Sequence, residues 1–361
     1  MKILVTGGAG YIGVVLCERL LEAGHQVRVL DRLYWGRAPL AHLVDRIELV
    51  HEDVRAIDPQ VLDGIDGVAH LAGLSNDPTA EYNTSANWEM NADATAHLAV
   101  ACKARGIARF TFGSSASIYD GLGEGPFDEN APVNPRGAYS LSKFAAEQSL
   151  RSTAGAGFSP VILRQGTVYG FSPRMRLDLV VNTFIKDAVL RGTLFLHGGG
   201  WMWRPLVDVK DVAEAHVRCL EADPALVGGQ IFNVVHDNFQ IRQLAMLVAG
   251  SLSLQDKAVR LEDAPVPKIN RNYRCTNRKL TETLGFTPHV TVLESIEGML
   301  KRLPLEDPAE LAHPRFYNIK WMTLLEEIVA THAGERSIWD VMPTEPERSD
   351  GQVPSKSLQS R

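Results

Sequence analysis

The sequence has few cysteines and no pattern typical of metal ligands. Its four cysteines are widely separated in the 361-residue chain: Cys17, Cys102, Cys219 and Cys275. No C-x-x-C pair occurs, so the spacing predicts neither a zinc site nor a disulfide framework. The same lack of metal-ligand spacing holds for several histidines, which we interpret as structural: His70, His97, His197, His216 and His236. We therefore expect reduced thiols in a cytoplasmic protein, and no metal.

Long apolar runs and a large charge of one sign are also lacking. No apolar run reaches the roughly 18 residues that a membrane helix needs. The first residues already resemble a core strand, so we expect no signal peptide. Lys and Arg number 37 and Asp and Glu 43, a net charge of −6, which argues against a nucleic-acid or membrane-surface binder. The length predicts about two globular units.

Short apolar runs alternate with helical stretches in the first half of the chain. The predicted strands cover residues 3–5, 26–30, 47–50, 67–71, 109–112 and 160–163, and the predicted helices cover 14–23, 87–105 and 139–154. This alternation predicts an α/β fold with a doubly wound parallel sheet, helices covering both faces.

A glycine-rich turn follows the first predicted strand and opens the first predicted helix. Gly8, Gly10 and Gly13 form a G-x-G-x-x-G pattern, and Asp31 stands 18 positions after the last glycine. In this context the pattern indicates dinucleotide binding rather than a plain glycine turn, because backbone N–H groups can approach a pyrophosphate there. Asp31 can accept hydrogen bonds from both ribose hydroxyls and would repel a 2′-phosphate. NAD is therefore favoured, while the neighbouring Arg32 leaves NADP open.

Tyr139 and Lys143 stand four residues apart on a predicted helix and so share one face. A nearby ammonium and a nicotinamide ribose can lower the tyrosine pKa, which would make the phenol a proton shuttle near neutral pH. Hydroxyl residues, Ser114 to Ser117, follow the strand that ends at Phe112, where parallel sheets bind ligands.

Together these motifs resemble the extended short-chain dehydrogenase/reductase superfamily, in its NAD-dependent epimerase/dehydratase branch, over roughly residues 1–300. The resemblance also rests on residues 70–73 (HLAG) and 204–212 (RPLVDVKDV). It implies a Rossmann domain over residues 1–165 and a mostly substrate-binding, smaller α/β region over 166–310. A helical extension would cover 311–342, with an amphipathic helix at 316–331, and a loose tail 343–361.

The resemblance also implies roles for individual residues. Tyr139 would be the general acid/base, Lys143 would anchor the nicotinamide ribose, and Ser115 would hydrogen-bond the reacting substrate oxygen. Asp53 would contact adenine. The implied cofactor-binding residues are Gly7, Gly10, Tyr11, Ile12, Gly13, Asp31, Arg32, Asp53, Val54, Leu71, Ala72, Gly73, Asn91, Tyr139 and Lys143. The candidate substrate-binding residues are Ser117, Arg174, Arg176, Asn182, Arg204 and Arg271, whose arginines suit a diphosphate.

Ser117 departs from several branches of that family. Dehydratases usually carry an Asp-Glu pair at the positions of Ala116 and Ser117, decarboxylases a Glu at Ser117, and some epimerase-reductases a Cys there. A serine hydroxyl, with a pKa far above 7, replaces none of these as a proton carrier. The expected chemistry is therefore hydride transfer at a sugar carbon of a nucleotide-diphosphate sugar, as 4-epimerisation or as net oxidation or reduction.

Two other functions remain open from the sequence. One is an NADPH-dependent reductase of a small ketone, and the other is a catalytically silent nucleotide sensor on the same fold. The resemblance further implies a homodimer formed through the two long helices that include the Tyr139–Lys143 segment.

Overall fold

The computed structural model describes residues 1–266, 271–305, 307–332 and 337–341. Its strands are β1 (Lys2–Thr6), β2 (Gln26–Asp31), β3 (Ile47–His51), β4 (Gly67–His70), β5 (Arg109–Ser115), β6 (Ser159–Gln165), β7 (Thr167–Tyr169), β8 (Thr193–His197), β9 (Trp203–Asp208), β10 (Ile231–Val234), β11 (Asp237–Gln240) and β12 (Arg260–Ala264). Its α-helices are α1 (Tyr11–Glu22), α2 (Asp77–Tyr82), α3 (Thr84–Trp88), α4 (Ala94–Ala104), α5 (Gly137–Thr153), α6 (Val180–Arg191), α7 (Val209–Glu221), α8 (Pro224–Val227), α9 (Ile241–Ser253), α10 (Arg278–Leu284), α11 (Val292–Arg302), α12 (Pro308–Ala312) and α13 (Asn318–His332).

Seven strands form one parallel sheet in the order β10-β6-β5-β4-β1-β2-β3. The first six strands thus follow the dinucleotide-binding order, with β1 beside β4 where the chain reverses its direction of winding. The doubly wound parallel sheet expected from the sequence is confirmed. Ligands of such sheets bind at the carboxyl ends of the strands, near this reversal.

Both faces of the sheet are buried because successive side chains of a strand point to opposite sides. Ile3 and Val5 of β1 face the core that contains α1 and α7, whereas Leu4 faces the core that contains α4 and α5. All three are fully buried. Each such side chain contributes about 1.5–3 kcal/mol by leaving water, so the apolar runs of the sequence became strands covered on both faces.

A smaller part of the molecule lies beyond the carboxyl edge of the sheet. It contains the three-stranded sheet β11-β9-β7 and the strand pair β12-β8. The chain between them returns to the large sheet, since β10 pairs with β6. The division into units at residues 165 and 310 stays a prediction. The expected tail, 343–361, lies outside the described residues.

The predicted helix 87–105 differs from the structure. It is built from α3, a π-helical turn (Glu89–Asp93) and α4. A π turn holds one extra residue, which apolar periodicity does not reveal and which often occurs at functional sites. The predicted helix 139–154 is α5 and begins two residues earlier, after Arg136.

A buried ion pair joins α5 to the sheet. The carboxylate of Glu147 on α5 accepts hydrogen bonds from Nε and Nη2 of Arg164 on β6, at 3.1 and 2.8 Å, and from the Ser114 hydroxyl at 2.5 Å. Arg164 also donates to the Tyr119 hydroxyl at 2.7 Å. The two charged side chains are 0% and 3% exposed, so α5 is held in register with the strands below it.

We expect Glu147→Ala to lower the free energy of unfolding by about 3–5 kcal/mol, because the guanidinium of Arg164 would stay buried without its partner. Denaturant unfolding followed by circular dichroism measures this. The double variant Glu147→Leu/Arg164→Met should lose less stability than the single one. Arg278→Ala, which removes an exposed pair with Glu282, is the control and should change it by less than about 1 kcal/mol. If Glu147→Ala lowered the free energy of unfolding as little as Arg278→Ala does, the ion pair would not hold α5 to the sheet.

Candidate functional site

The turn between β1 and α1 brings backbone very close to backbone. A Cβ at Gly7, where φ is +72°, would lie 2.8 Å from Cα of Ala72, and a Cβ at Gly13 would lie 2.1 Å from the carbonyl oxygen of Gly7. Gly10 caps α1 without a side-chain hydrogen bond, so the first N–H groups of the helix have no side-chain acceptor there. This positive helix end suits a diphosphate.

Asp31 at the end of β2 is tied to this turn. Its Oδ2 accepts a hydrogen bond from the N–H of Ala9 at 2.9 Å, and its Oδ1 accepts one from Leu33 at 2.7 Å. Burial raises the pKa of the carboxyl group, and the two backbone donors partly offset this effect. Nη1 of Arg32 donates to Oδ2 of Asp53 at 2.6 Å. Arg32, the cation that could have bound the 2′-phosphate of NADP, is therefore already paired with a carboxylate.

One cavity at the carboxyl edge of the sheet collects most of the predicted cofactor residues. Those that line it are Gly7, Gly10, Tyr11, Ile12, Gly13, Asp31, Arg32, Asp53, Val54, Leu71, Ala72, Gly73, Tyr139 and Lys143. The set includes the glycine turn, which would hold a diphosphate, Asp31, which would hold a ribose, and the Tyr139–Lys143 pair of α5. The glycine cradle and the helix end therefore fit NAD.

Asn91 is the exception among the expected cofactor residues. It lies in the π turn, is fully buried and does not line the cavity. Its Oδ1 accepts from the N–H of Leu74 at 2.8 Å, and its Nδ2 donates to the Leu74 carbonyl at 2.9 Å and to Ser142 at 3.1 Å. Asn91 therefore fixes the loop after β4 against α5, and so shapes the cavity wall from behind.

Tyr139, Ser115 and Lys143 meet where β5 ends against α5. The Ser115 side chain lies near the Tyr139 phenol and lowers its pKa, and the Lys143 ammonium donates to the Gly113 carbonyl at 2.9 Å. Burial lowers the pKa of Lys143 to about 8. Burial raises the pKa of Tyr139, and Ser115 and Arg271 offset this only in part. The expected lowering of the tyrosine pKa by Lys143 together with a nicotinamide ribose stays a prediction, because the protein groups alone give a net rise.

A chain of hydroxyl groups leads away from Tyr139. Ser115 donates to Ser117 at 3.0 Å, and Ser117 lies 2.9 Å from the hydroxyl of Ser140. Nη2 of Arg271 donates to Ser140 at 3.3 Å and pairs with Asp77. Ser117 and Arg271, both expected to bind substrate, are therefore linked through hydrogen bonds to Ser115, the serine near the Tyr139 phenol.

The other expected substrate residues lie in three different places: at a second cavity, in the protein interior, and in the cavity of the glycine turn. Arg204 donates to the backbone carbonyls of Trp203 and Arg271 and lines a second cavity between α6 and β8. Asn182 is buried, and its Nδ2 donates to the Tyr11 hydroxyl at 3.2 Å and to the carbonyl of Arg176 at 2.8 Å, which makes it a support for the cofactor side.

Arg174 and Arg176 line the same cavity as the glycine turn, and their expected contact with the substrate stays a prediction. Arg176 forms a bidentate salt bridge with Asp178, with Nε to Oδ1 at 2.8 Å and Nη2 to Oδ2 at 3.1 Å, and its Nη1 donates to the Ser75 hydroxyl at 3.0 Å. Arg174 stacks on the indole of Trp35, 3.8 Å from the ring centroid.

Sequence reasoning missed the cavity residues that come from distant segments. Trp35 follows β2, Ser75 follows β4, and Asn318 and Met322 come from α13 near the end of the described chain. The amphipathic pattern of 316–331 signalled a helix but not what it covers. Among the described residues, no cluster of His, Cys, Asp and Glu has the geometry of a metal site, and no helix there has the length and apolarity to cross a membrane.

Comparisons with known proteins agree with this geometry. The UDP-glucose 4-epimerase of Mycolicibacterium smegmatis is 32% identical over 313 residues, covering 82% of this chain and 96% of that protein. The UDP-glucose 4-epimerase of Corynebacterium glutamicum is 30% identical over 315 residues, covering 82% and 93%. The solved structure of MoeE5 in complex with UDP-glucuronic acid and NAD has a TM-score of 0.73 at 26% identity, covering 84% of this chain and all of that one.

The sequence model of the NAD dependent epimerase/dehydratase family matches residues 3–234. That segment contains the glycine turn, Asp31 and the Tyr139–Lys143 pair, which the fold brings to one cavity, and it also contains Ser115, near Tyr139. The cofactor expected from the sequence, NAD, is confirmed. The chain is a member of the NAD dependent epimerase/dehydratase family, an extended short-chain dehydrogenase/reductase enzyme of the nucleotide-sugar type.

Proposed function

We propose that this chain is a UDP-hexose 4-epimerase with Ser115, Tyr139 and Lys143 as its catalytic residues. The observation that carries the proposal is that Tyr139 and Lys143 on α5 meet Ser115 at the end of β5, beside the cavity of the glycine turn. The UDP-glucose 4-epimerases that are 30% and 32% identical support the substrate class.

The side chains suit a reaction that removes and restores a hydride and a proton at one sugar carbon. Bound NAD would take up the hydride and give it back. Tyr139, as a phenolate, would accept the proton of the sugar hydroxyl as the ketone forms, and would return it when the ketone is reduced from its other face. Ser115 would hydrogen-bond the same sugar oxygen and so hold it beside the phenol. Lys143, as an ammonium, would donate to ribose hydroxyls of the cofactor.

The surroundings of Tyr139 favour this reaction over proton transfer at carbon. The hydroxyl of Ser117, at the position where related enzymes carry acids or a thiol, hydrogen-bonds the hydroxyls of Ser115 and Ser140. Asp77, an acid that faces Tyr139, is paired with Arg271. A paired carboxylate and a serine hydroxyl are poor proton carriers near neutral pH, which supports epimerisation over elimination or decarboxylation.

Arg204 and Arg271 are proposed to hold the diphosphate of the substrate. Arg271 is linked to the Tyr139 hydroxyl chain, and Arg204 lies on the second cavity. Burial lowers the pKa of Arg204, so an anion beside it would be stabilising. The second cavity, with Phe184, Phe195 and His197 in its wall, would then take the nucleotide base.

The homodimer and the cytoplasmic location are further parts of the proposal. Trp88, Val100 and Leu141, on the helical layer of α3, α4 and α5, are exposed by 45%, 60% and 46%. Apolar side chains exposed on this layer support an interface there. The four cysteines are buried free thiols, as expected in a reducing compartment.

We expect Tyr139→Phe to lower kcat for interconversion of UDP-glucose and UDP-galactose by about 10²–10⁴-fold, because the proton carrier is lost. Coupled product assays measure kcat, and mass spectrometry of the denatured protein measures retained NAD, which should not change. Tyr169→Phe is a matched control, since Tyr169 is also a buried tyrosine and its hydroxyl donates to the Val290 carbonyl. Activity of Tyr139→Phe equal to that of this control would refute the role of Tyr139.

Gly13→Ala should lower the NAD content of the purified protein by at least about tenfold, because the added methyl group would collide with the Gly7 carbonyl and displace the turn from the diphosphate. The control is Gly250→Ala on α9, where a Cβ meets nothing within 4 Å. That variant should keep its NAD and gain up to about 1 kcal/mol of stability. Full NAD content in Gly13→Ala would contradict the placement of the cofactor.

The affinity for NADH should decrease as the pH rises above about 8. Lys143 is protonated below its pKa of about 8 and loses its charge above it, so its charge-assisted hydrogen bonds are lost with rising pH. Titration by NADH fluorescence should show Kd rising about tenfold between pH 7 and pH 9.5. Lys143→Arg stays charged and should give a flat profile. A flat profile in the wild type would argue against Lys143 as a cofactor ligand.

A further inference from the structure

The segment from Pro314 to α13 covers one side of the NAD cavity. Nε1 of Trp321 donates to the Tyr34 carbonyl at 2.7 Å, and Nε1 of Trp35 donates to the Arg315 carbonyl at 2.9 Å. Two indole hydrogen bonds thus tie this segment to the loop after β2. The segment lies beyond residue 234, where the family match ends, so the family motifs do not account for it.

Arg174 lies between this segment and the cavity. Its Nη2 donates to Oδ1 of Asn318 at 2.6 Å, and its guanidinium carbon lies 3.8 Å from the ring centroid of Trp35. The residue is 4% exposed, and neither its Nε nor its Nη1 has a hydrogen-bond partner among the described residues. Buried donors of a cation are costly to leave unpaired, so the arrangement points to an anionic ligand.

The acids around Arg174 are already engaged. Asp31 accepts from two backbone N–H groups, and Asp178 accepts from Arg176 and from the N–H of Asn318. Burial and the charge of Arg176 lower the pKa of Arg174 to about 9, and Asp178 and Asp31 offset this only in part.

The position of Arg174 assigns it to the cofactor rather than to the sugar. Its guanidinium lies on the ring of Trp35, in the loop that follows Asp31 at the end of β2. It lines the same cavity as Gly10 and Tyr11 at the start of α1. Arg174 therefore belongs to the side of the site where the adenosine half and the diphosphate of a dinucleotide are expected.

We propose that Arg174 binds the diphosphate of NAD through Nε and Nη1, and that residues 314–332, which hold Arg174 through Asn318 and Trp35, keep the cofactor bound from one turnover to the next. A planar fork of two N–H donors matches phosphate oxygens. The inference rests on the proposed function, since a reaction that returns its hydride has no need to exchange the cofactor. It extends that function by giving Arg174 and the C-terminal helix a role in cofactor retention.

The test uses the full-length protein loaded with NADH and measures the rate of NADH release, by loss of bound-NADH fluorescence after addition of excess NAD. Arg174→Met keeps an unbranched side chain to pack on Trp35 but removes the donors. It should release NADH about 10–100-fold faster than the wild type. Asn318→Ala, which keeps Arg174 but removes its anchor, is a second variant and should release NADH faster by a smaller factor.

Arg302→Met is the matched control, because Arg302 also lies over an aromatic ring, that of Phe171, outside the NAD cavity. It should release NADH at the wild-type rate. Tyr139→Phe should also retain NADH. A low kcat would therefore report failure of the proposed reaction, whereas fast NADH release would report loss of cofactor retention by Arg174 and residues 314–332. Wild-type release rates in both Arg174→Met and Asn318→Ala would overturn the inference.

Two other outcomes would also overturn it. If Arg174→Met releases NADH normally but binds UDP-glucose more weakly, Arg174 binds the substrate diphosphate. If the wild type holds NADPH more tightly than NADH and Arg174→Met reverses this preference, the group bound is a 2′-phosphate. Faster release of NADH with unchanged affinity for UDP-glucose supports the proposal.

Discussion

The close backbone contact at the glycine turn is the constraint on which the rest of the site depends. Gly7, Gly13 and the segment after β4 approach each other so closely that a single added carbon would overlap main-chain atoms. The contact aims the N-terminus of α1 into the cavity. Asp31 then reaches Ala9 and locks the turn to the end of β2, so the diphosphate end and the ribose end of the cofactor site are positioned together.

The opposite end of the site depends on a buried charge pair. Glu147 and Arg164 hold α5 against β5 and β6, and α5 carries Tyr139 and Lys143 four residues apart. Because burial there removes water from both groups, it raises the pKa of the phenol and lowers that of the amine. The two pKa values thereby move apart, so the phenol holds its proton more tightly and the ammonium holds its proton less tightly than either group does in water.

The C-terminal segment forms a further wall of the cofactor site. Trp35 and Trp321 each use an indole N–H on a carbonyl of the other segment, and Arg174 is held between the Trp35 ring and Asn318. This links the loop after β2, the loop before α6 and α13 in one wall. A wall assembled from three distant segments can close over a ligand whose other side is the rigid carboxyl edge of the sheet.

The local motifs of this protein could be predicted from the sequence because the physics behind them is local. Alternating apolar runs predict strands, a G-x-G-x-x-G turn between a strand and a helix predicts a phosphate cradle, and the i, i+4 spacing of Tyr139 and Lys143 places them on one face. These features need only neighbouring residues, and the family, the fold and the cofactor followed from them.

Only the tertiary structure decided which distant groups meet. Asn91 and Asn182 were expected at ligands, yet their amides bind backbone carbonyls and side chains behind the cavity wall. Arg174, a candidate substrate residue, lines the cavity of the glycine turn, and α13 supplies Asn318 as its partner from 144 residues away. Burial raises the pKa of Tyr139, and burial depends on everything packed around the phenol. Spacing along a chain determines a turn or a helix face, whereas desolvation and long-range pairing are properties of the assembled fold.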